Sequence, residues 1–274
     1  MKIESKKNYL SEGLVHKVYK VGEKIFKVPK DEFEDFNNLE HFAIEKISHI
    51  ILKANSLPAA EVTNIYEKNE IVQEKYVLEE DFVKGKVFDN PDISDQGKKE
   101  IISLMLRANE IKVQAYGRIT SNGSGSVSSW KKYIKDGIEE SSEILKKICK
   151  DMSATYINYL LSNNIIVPEI KQGYFLMLDT NSNNYVFNED NKIIAMLDID
   201  HPISGDKLYE YAALKFHHPD TFAILTRGSK KLSIDELKLL NYYFVHFGLS
   251  ILAFEASHNL NLTNSLETLK NVQV

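Results

Sequence analysis

The chain has 274 residues, of which 43% are hydrophobic and 27% charged, and a net charge of −5, so it can bury a core in one large or two modest domains. Lysine and arginine are dispersed, which excludes nucleic acid as a main partner, because neutralising phosphates needs a concentrated basic face. A single cysteine, Cys149, excludes an internal disulfide and spells no zinc cluster, and no run of about 18 apolar residues offers a membrane span.

The opening MKIESKKNYL lacks the apolar core of a signal peptide, and a cytoplasmic protein is expected. Residues 9–28 read as two or three strands, with LVHKVYKV turning at Val21-Gly22-Glu23-Lys24 into KIFKV. Asp31 to Asn55 reads as one helix, since Phe33, Phe36, Leu39, Phe42, Ile44, Ile47 and Ile51 recur at helical spacing before Leu57-Pro58. Glu61–Tyr66 and Glu70–Leu78 read as two more strands of one antiparallel sheet. Glu79 to Lys86 is a polar connection containing Gly85, and the domain boundary is placed there, giving domains 1–82 and 83–274.

The remainder is mainly helical. Ser94 is a cap for a helix reaching about Lys112, and SNGSGSVSS over 121–129 reads as a flexible loop. A phosphate-binding role for that loop lacks a preceding strand and a following Lys-Ser/Thr pair. Trp130 to Asn164 reads as one or two helices, with Cys149 a buried helix residue. Gly205–Phe216 and Ser233–Ser257 are the last helices, and the fold class is α+β.

The chemistry concentrates in FLMLDTNSNNYVFNEDNKIIAMLDID. It reads as a polar loop, a strand, a turn and a second strand ending on Asp198 and Asp200. Asp179 can act as a general base, and Asn184 and Asp198 offer hard oxygens suited to Mg²⁺. No HExxH, no Cys/His cluster and no G-x-S-x-G occurs, so zinc hydrolase and α/β-hydrolase chemistry lack support.

These residues resemble a known family. Asp179-Thr180-Asn181-Ser182-Asn183-Asn184 is similar to the D-x-x-x-x-N loop of the aminoglycoside phosphotransferase and choline kinase-like enzymes. Leu197-Asp198-Ile199-Asp200 resembles their I-D-F-[DE] strand end, and Gly205-Asp206 with Glu210-Tyr211-Ala212 their G-D-P-x-x-D-L-A helix start. Ala115-Tyr116-Gly117-Arg118 and Ser129-Trp130 also look like a segment of these enzymes.

The resemblance implies a protein-kinase-like bilobal fold, with a small antiparallel sheet lobe carrying one helix and a larger helical lobe. It implies a small-molecule kinase that takes ATP or GTP as donor with Mg²⁺, and an antibiotic-modifying role is among its expectations. Asp179 is then the catalytic base, Asn184 and Asp198 the metal ligands, and Asp200 a neighbour of metal or substrate. Asp206 is expected to stabilise the loop and the helix after it. Lys27 matches the third-strand lysine that clamps the α- and β-phosphates, with Glu45 its helix partner and Glu40 the alternative. The loop with Ser11 and Gly13 would lie over the phosphates, and Glu80 and Phe82 belong to the hinge whose backbone pairs with adenine.

Two departures stand out. Met177-Leu178 replace the usual His-Gly before the base, and Glu210 replaces an Asp. The first keeps open the alternative of an inactive kinase-like binding protein. A protein kinase is disfavoured by the absence of H-R-D, D-F-G and A-P-E segments. Glu255 with Asp200 is the candidate receiver of a cationic acceptor group, and His201 is a candidate substrate or phosphate contact. His217-His218 read as surface or helix-end residues. A monomer or a dimer fits equally.

Overall fold

Gly22 turns the chain at φ +62°, and Val21 pairs with Lys24 across it. This computed structural model describes residues 3, 6–148, 150–228 and 231–270, so Cys149 lies outside the described residues. In chain order the elements are β1 (Tyr9–Glu12), β2 (His16–Val21), β3 (Lys24–Pro29), α1 (Leu39–Ala54), β4 (Val62–Tyr66), β5 (Val77–Asp81) and α2 (Asp95–Ala108). Then come β6 (Lys112–Val113), β7 (Tyr116–Ile119), β8 (Gly125–Val127), α3 (Trp130–Ile148), α4 (Lys150–Asn163) and β9 (Gly173–Leu176). The chain continues through β10 (Tyr185–Phe187), β11 (Ile193–Met196), β12 (Ile203–Gly205) and α5 (Lys207–His217). It goes on to α6 (Pro219–Gly228), α7 (Ile234–Ser257) and α8 (Thr263–Lys270).

Packing divides the chain into two units. The first comprises Met1–Glu100, Thr120–Gly123 and Asn181–His201, and the second Ile101–Ile119, Ser124–Thr180 and Pro202–Val274. The expected boundary at residue 82 differs from this division for a physical reason. The β10–β11 hairpin bonds backward along the chain: Ala60 N–H donates to Met196 O at 3.1 Å, and Met196 N–H to Pro58 O at 2.7 Å.

In the first unit, the strands form an antiparallel sheet in the order β1-β2-β3-β5-β4. The single helix expected over 31–55 is broken in two. A 3-10 segment, Asp31–Phe36, buries Phe33 and Phe36, and α1 starts afresh where the Asn38 side chain accepts the His41 N–H at 2.8 Å. The strand expected at 70–78 starts only at Val77. Asn69 and Glu74 adopt positive φ, and the Asn69 side chain accepts the Glu74 N–H at 3.0 Å, closing a turn instead.

In the second unit, the sheet order is β6-β9-β12-β7-β8. The Ser/Gly segment, expected as a loop, contains β8. A Cβ at Gly125 would lie 2.3 Å from the Tyr116 backbone nitrogen, so only glycine admits the close pairing of β7 and β8. α6 and α8 are helices beyond those expected. α7 begins in a capping box between Ser233 and Glu236 and packs against α3 and α5. It is long and apolar enough to cross a bilayer, yet most of that stretch is buried in this unit, as a core helix is.

Candidate active site

Lys27 lies on β3, 5% exposed, among three carboxylates of the first unit. Its Nζ donates to Glu45 of α1, lies 3.0 Å from Asp198 Oδ1 and stands 4.0 Å from Glu80 Oε2 on β5. Glu40 points elsewhere and accepts the Ser121 N–H at 3.1 Å, so the helix partner of Lys27 is Glu45. Burial alone would discharge the lysine, but Asp198, Glu45 and Glu80 outweigh it and hold its pKa well above the ordinary value. Burial raises Glu80 to about 7 against the pull of Lys27. Desolvation on its Lys27-facing side acts to raise Asp198, but Lys27 and then His16 overcome it and hold that carboxyl at about 2. Asp198 is therefore a carboxylate at neutral pH.

The hairpin sets Asn184 beside Asp198. Tyr185 pairs with Met196, and the Leu197 N–H donates to Asn184 O at 2.8 Å, so both residues sit at the open end. A 3-10 turn, Ser182–Asn184, delivers the amide. It is pinned by Ser182 Oγ donating to Phe88 O at 2.7 Å and by Ser182 N–H donating to Asn90 Oδ1 at 2.8 Å. The Asn184 side chain is buried with its Nδ2 lacking a hydrogen-bond partner, whereas the Asp198 side chain is 41% exposed. A carboxylate open to solvent and the oxygen of a neighbouring side-chain amide are hard donors that fit a Mg²⁺ ion, which keeps most of its ligands from water and phosphate.

In the second unit, Asp179 follows β9 through a tight turn. Its N–H donates to Met177 O at 2.8 Å across Leu178, which adopts φ +64°. Beneath the turn lies Glu210 of α5, fully buried. Its Oε2 accepts the Met177 N–H at 2.8 Å and Asn109 Nδ2 at 3.2 Å, and its Oε1 accepts the Leu178 N–H at 2.8 Å. Burial pushes Glu210 up to about 7, against the pull of those donors. Loop support falls to Glu210. Asp206, expected to share that task, caps α5 through the Leu208 N–H at 3.0 Å and accepts the Tyr243 hydroxyl at 3.0 Å.

No protein-family model matches the sequence, and no curated protein matches it. Solved structures do. A thermostable mutant of aminoglycoside phosphotransferase APH(4)-Ia in its apo form matches with a TM-score of 0.76 at 17% identity, over 96% of this chain and 90% of that one. The ternary complex of such a mutant with ADP and hygromycin B gives 0.76 at 16% identity over the same shares. The GDP and kanamycin complex of APH(2")-IIIa gives 0.64 at 11% identity, over 98% of this chain and 93% of that one.

The chain has the aminoglycoside phosphotransferase fold.

Within this kinase-like fold, several expected donor-binding groups are already engaged. Ser11 is exposed on β1 and paired with Val18, and the Gly13 N–H donates to His16 O at 2.9 Å. The backbone amides expected to meet adenine are held in the sheet: Asp81 N–H donates to Glu61 O at 2.9 Å and Phe82 N–H to Glu23 O at 3.0 Å. Glu80 pairs with both Ile25 and Val62, and its side chain turns inward to Lys27, a placement the sequence reading missed. Period-2 alternation along 77–81 was the available signal, since it puts Leu78 and Glu80 on one face.

On the acceptor side, Asp200 belongs to the first unit and Glu255 to the second. Asp200 faces two imidazoles, with His41 Nε2 at 3.8 Å and His201 Nε2 at 3.7 Å from its Oδ2. Glu255 Oε1 accepts the Ser265 hydroxyl at 2.8 Å, and Glu255 Oε2 is enclosed without a hydrogen-bond partner. One oxygen of the half-buried Glu255 is thus engaged by α8. His217 is the exposed last residue of α5, and His218 its C-cap.

Proposed function

We propose that the chain is a small-molecule kinase that moves the γ-phosphoryl group of a nucleoside triphosphate to a hydroxyl of its acceptor. The observation that carries this reading is Lys27, buried on β3 and shared between Glu45 of α1 and Asp198 after β11. A lysine so held is a positioned point charge for α- and β-phosphates. Asn184 and Asp198 would hold Mg²⁺, which would supply positive charge to neutralise the phosphates. Asp179 accepts the hydroxyl proton while the acceptor oxygen bonds to phosphorus and the nucleoside diphosphate departs with the electron pair of the broken bond. ADP, AMP-PNP and GDP in complexes of similar structures support a nucleotide donor, either adenine or guanine. Hygromycin B and kanamycin in those complexes support an aminoglycoside-like acceptor.

A second reading, a kinase-like binding protein without transfer, is favoured by the Gly13 amide being engaged within its own hairpin. Nucleotide-consumption assays against an aminoglycoside panel, with ATP and GTP, test the first reading. Asp179→Asn should keep nucleotide binding and lose transfer, and transfer at the normal rate would remove Asp179 as the base. Thermal stabilisation by nucleotide that needs no Mg²⁺, with no turnover of any acceptor, would support the second.

A further inference from the structure

Three polar side chains of the first unit meet in a place that the phosphotransfer chemistry does not use. β2 begins on His16, His41 is the third residue of α1, and the chain beyond β11 runs from Asp198 to Asp200. His16 is 5% exposed and His41 6%. The Nε2 atoms of both are buried without a hydrogen-bond partner, an arrangement that costs stability unless something binds there. The two rings stack with centroids 5.2 Å apart and planes 24° from parallel. One ligand atom each from His16, His41 and Asp200 lies within 4.8 Å of the others.

The separations speak for an intervening atom. His41 Nε2 and His201 Nε2 stand 3.8 and 3.7 Å from the same Asp200 oxygen, too far for hydrogen bonds. A tetrahedral ion with bonds of about 2.0–2.1 Å holds its ligand atoms roughly 3.3 Å apart. The His41–Asp200 separation needs to close by about 0.5 Å, and no pair of the three by more than about 1.5 Å. Phe36 packs edge-on against both His41 and His201, closing an apolar wall around the cluster.

We propose that His16, His41 and Asp200 form a site for a borderline transition-metal ion of the Zn²⁺ class, distinct from the oxygen pair Asn184 and Asp198. Two imidazoles and one carboxylate select Zn²⁺, Co²⁺ or Ni²⁺ over Mg²⁺, which takes oxygen. His201, next in the chain and 61% exposed at its side chain, or water takes the fourth position. The ion joins β2, α1 and the segment after β11. It thereby steadies Glu45, one helical turn beyond His41, and Asp198, two residues before Asp200. The inference stands independently of phosphotransfer, since it requires neither nucleotide nor acceptor.

The test uses the full chain without an added histidine tag, treated with chelator and titrated with Co²⁺ in excess Mg²⁺. One equivalent should give the visible absorption of tetrahedral Co²⁺, be displaced by Zn²⁺, and raise the melting temperature. His41→Gln and His16→Gln should each weaken Co²⁺ binding at least about tenfold, while Asp198→Asn leaves the absorption in place. X-ray absorption of the Zn²⁺-loaded wild type should show two imidazole ligands, or three where His201 takes the fourth position, a readout that needs no variant to fold. No saturable Co²⁺ absorption in the wild type would overturn the proposal. So would an absorption lost in Asp198→Asn and kept in His41→Gln.

Discussion

Glu210 accepts the Leu178 N–H at 2.8 Å through one oxygen and the Met177 N–H at 2.8 Å through the other. Two backbone donors, the Met177 one buried and the Leu178 one partly buried, thus depend on one side chain. Glu210→Ala should lower unfolding stability by about 3 kcal/mol, because leaving a buried donor unpaired costs about 1–3 kcal/mol. Glu210→Gln keeps one acceptor oxygen and should lose roughly half as much. Urea midpoints at constant m-value measure both, and a loss under about 0.5 kcal/mol for the alanine variant would place the support elsewhere.

Leu178 occupies the left-handed region at φ +64°, where a side chain is strained by about 1–2 kcal/mol and glycine is not. Leu178→Gly releases that strain but frees the unfolded chain and loses some packing, so its stability should stay within about 1 kcal/mol of wild type. Leu178→Val places a β-branched residue there and should cost about 2 kcal/mol. Equal losses in the two variants would contradict backbone strain as the cause.

Lys27 and Glu45 separate structure from chemistry. Lys27→Met leaves the fully buried Glu45 without its counter-charge and should cost about 3 kcal/mol or more. Adding Glu45→Gln should recover much of that stability. Phosphate transfer should stay at least roughly a hundredfold down in the double variant, because the positive charge at the phosphates is gone. Recovery of both together would show that Lys27 is a structural ion-pair member alone.

His246 predicts an acid weakness. Its Nε2 lies 3.1 Å from Ile134 O, an acceptor only, so that nitrogen carries the hydrogen and Nδ1 takes the Tyr209 hydroxyl at 2.9 Å. The neutral ring satisfies both partners. Burial lowers its pKa from 6.5 to about 4. A histidine depressed in the folded state stabilises fully above pH 6.5 and loses that contribution as pH falls toward 4, about 3 kcal/mol in all. Stability measured from pH 7 to 4 should fall less steeply in His246→Gln than in wild type, and parallel curves would refute the assignment.

Local patterns made much of this legible. The Gly22 turn, the strand position of Lys27, Glu45 on the helix and the β10–β11 hairpin all follow from short-range residue order. The break at Asn37–Asn38 was hidden because Phe33 and Phe36 keep helical spacing while packing from a 3-10 segment. Backbone engagement was harder still. Nothing in the residues around Phe82 says that its amide meets Glu23, since that bond depends on which strands become neighbours. The His16–His41–Asp200 cluster was equally silent, for its members lie far apart in the chain and meet only through tertiary packing.

The fully buried indole of Trp130 donates to the Tyr243 hydroxyl at 2.7 Å and sits where a Cβ on Gly205 would come within 2.3 Å of its ring. It is also the chain's one tryptophan. Indole emission therefore watches the second unit alone, while the unit that holds Lys27 is dark to it. Comparing the emission transition with circular dichroism would reveal whether the two units melt in concert or in turn. The molecule carries its own single-site optical probe.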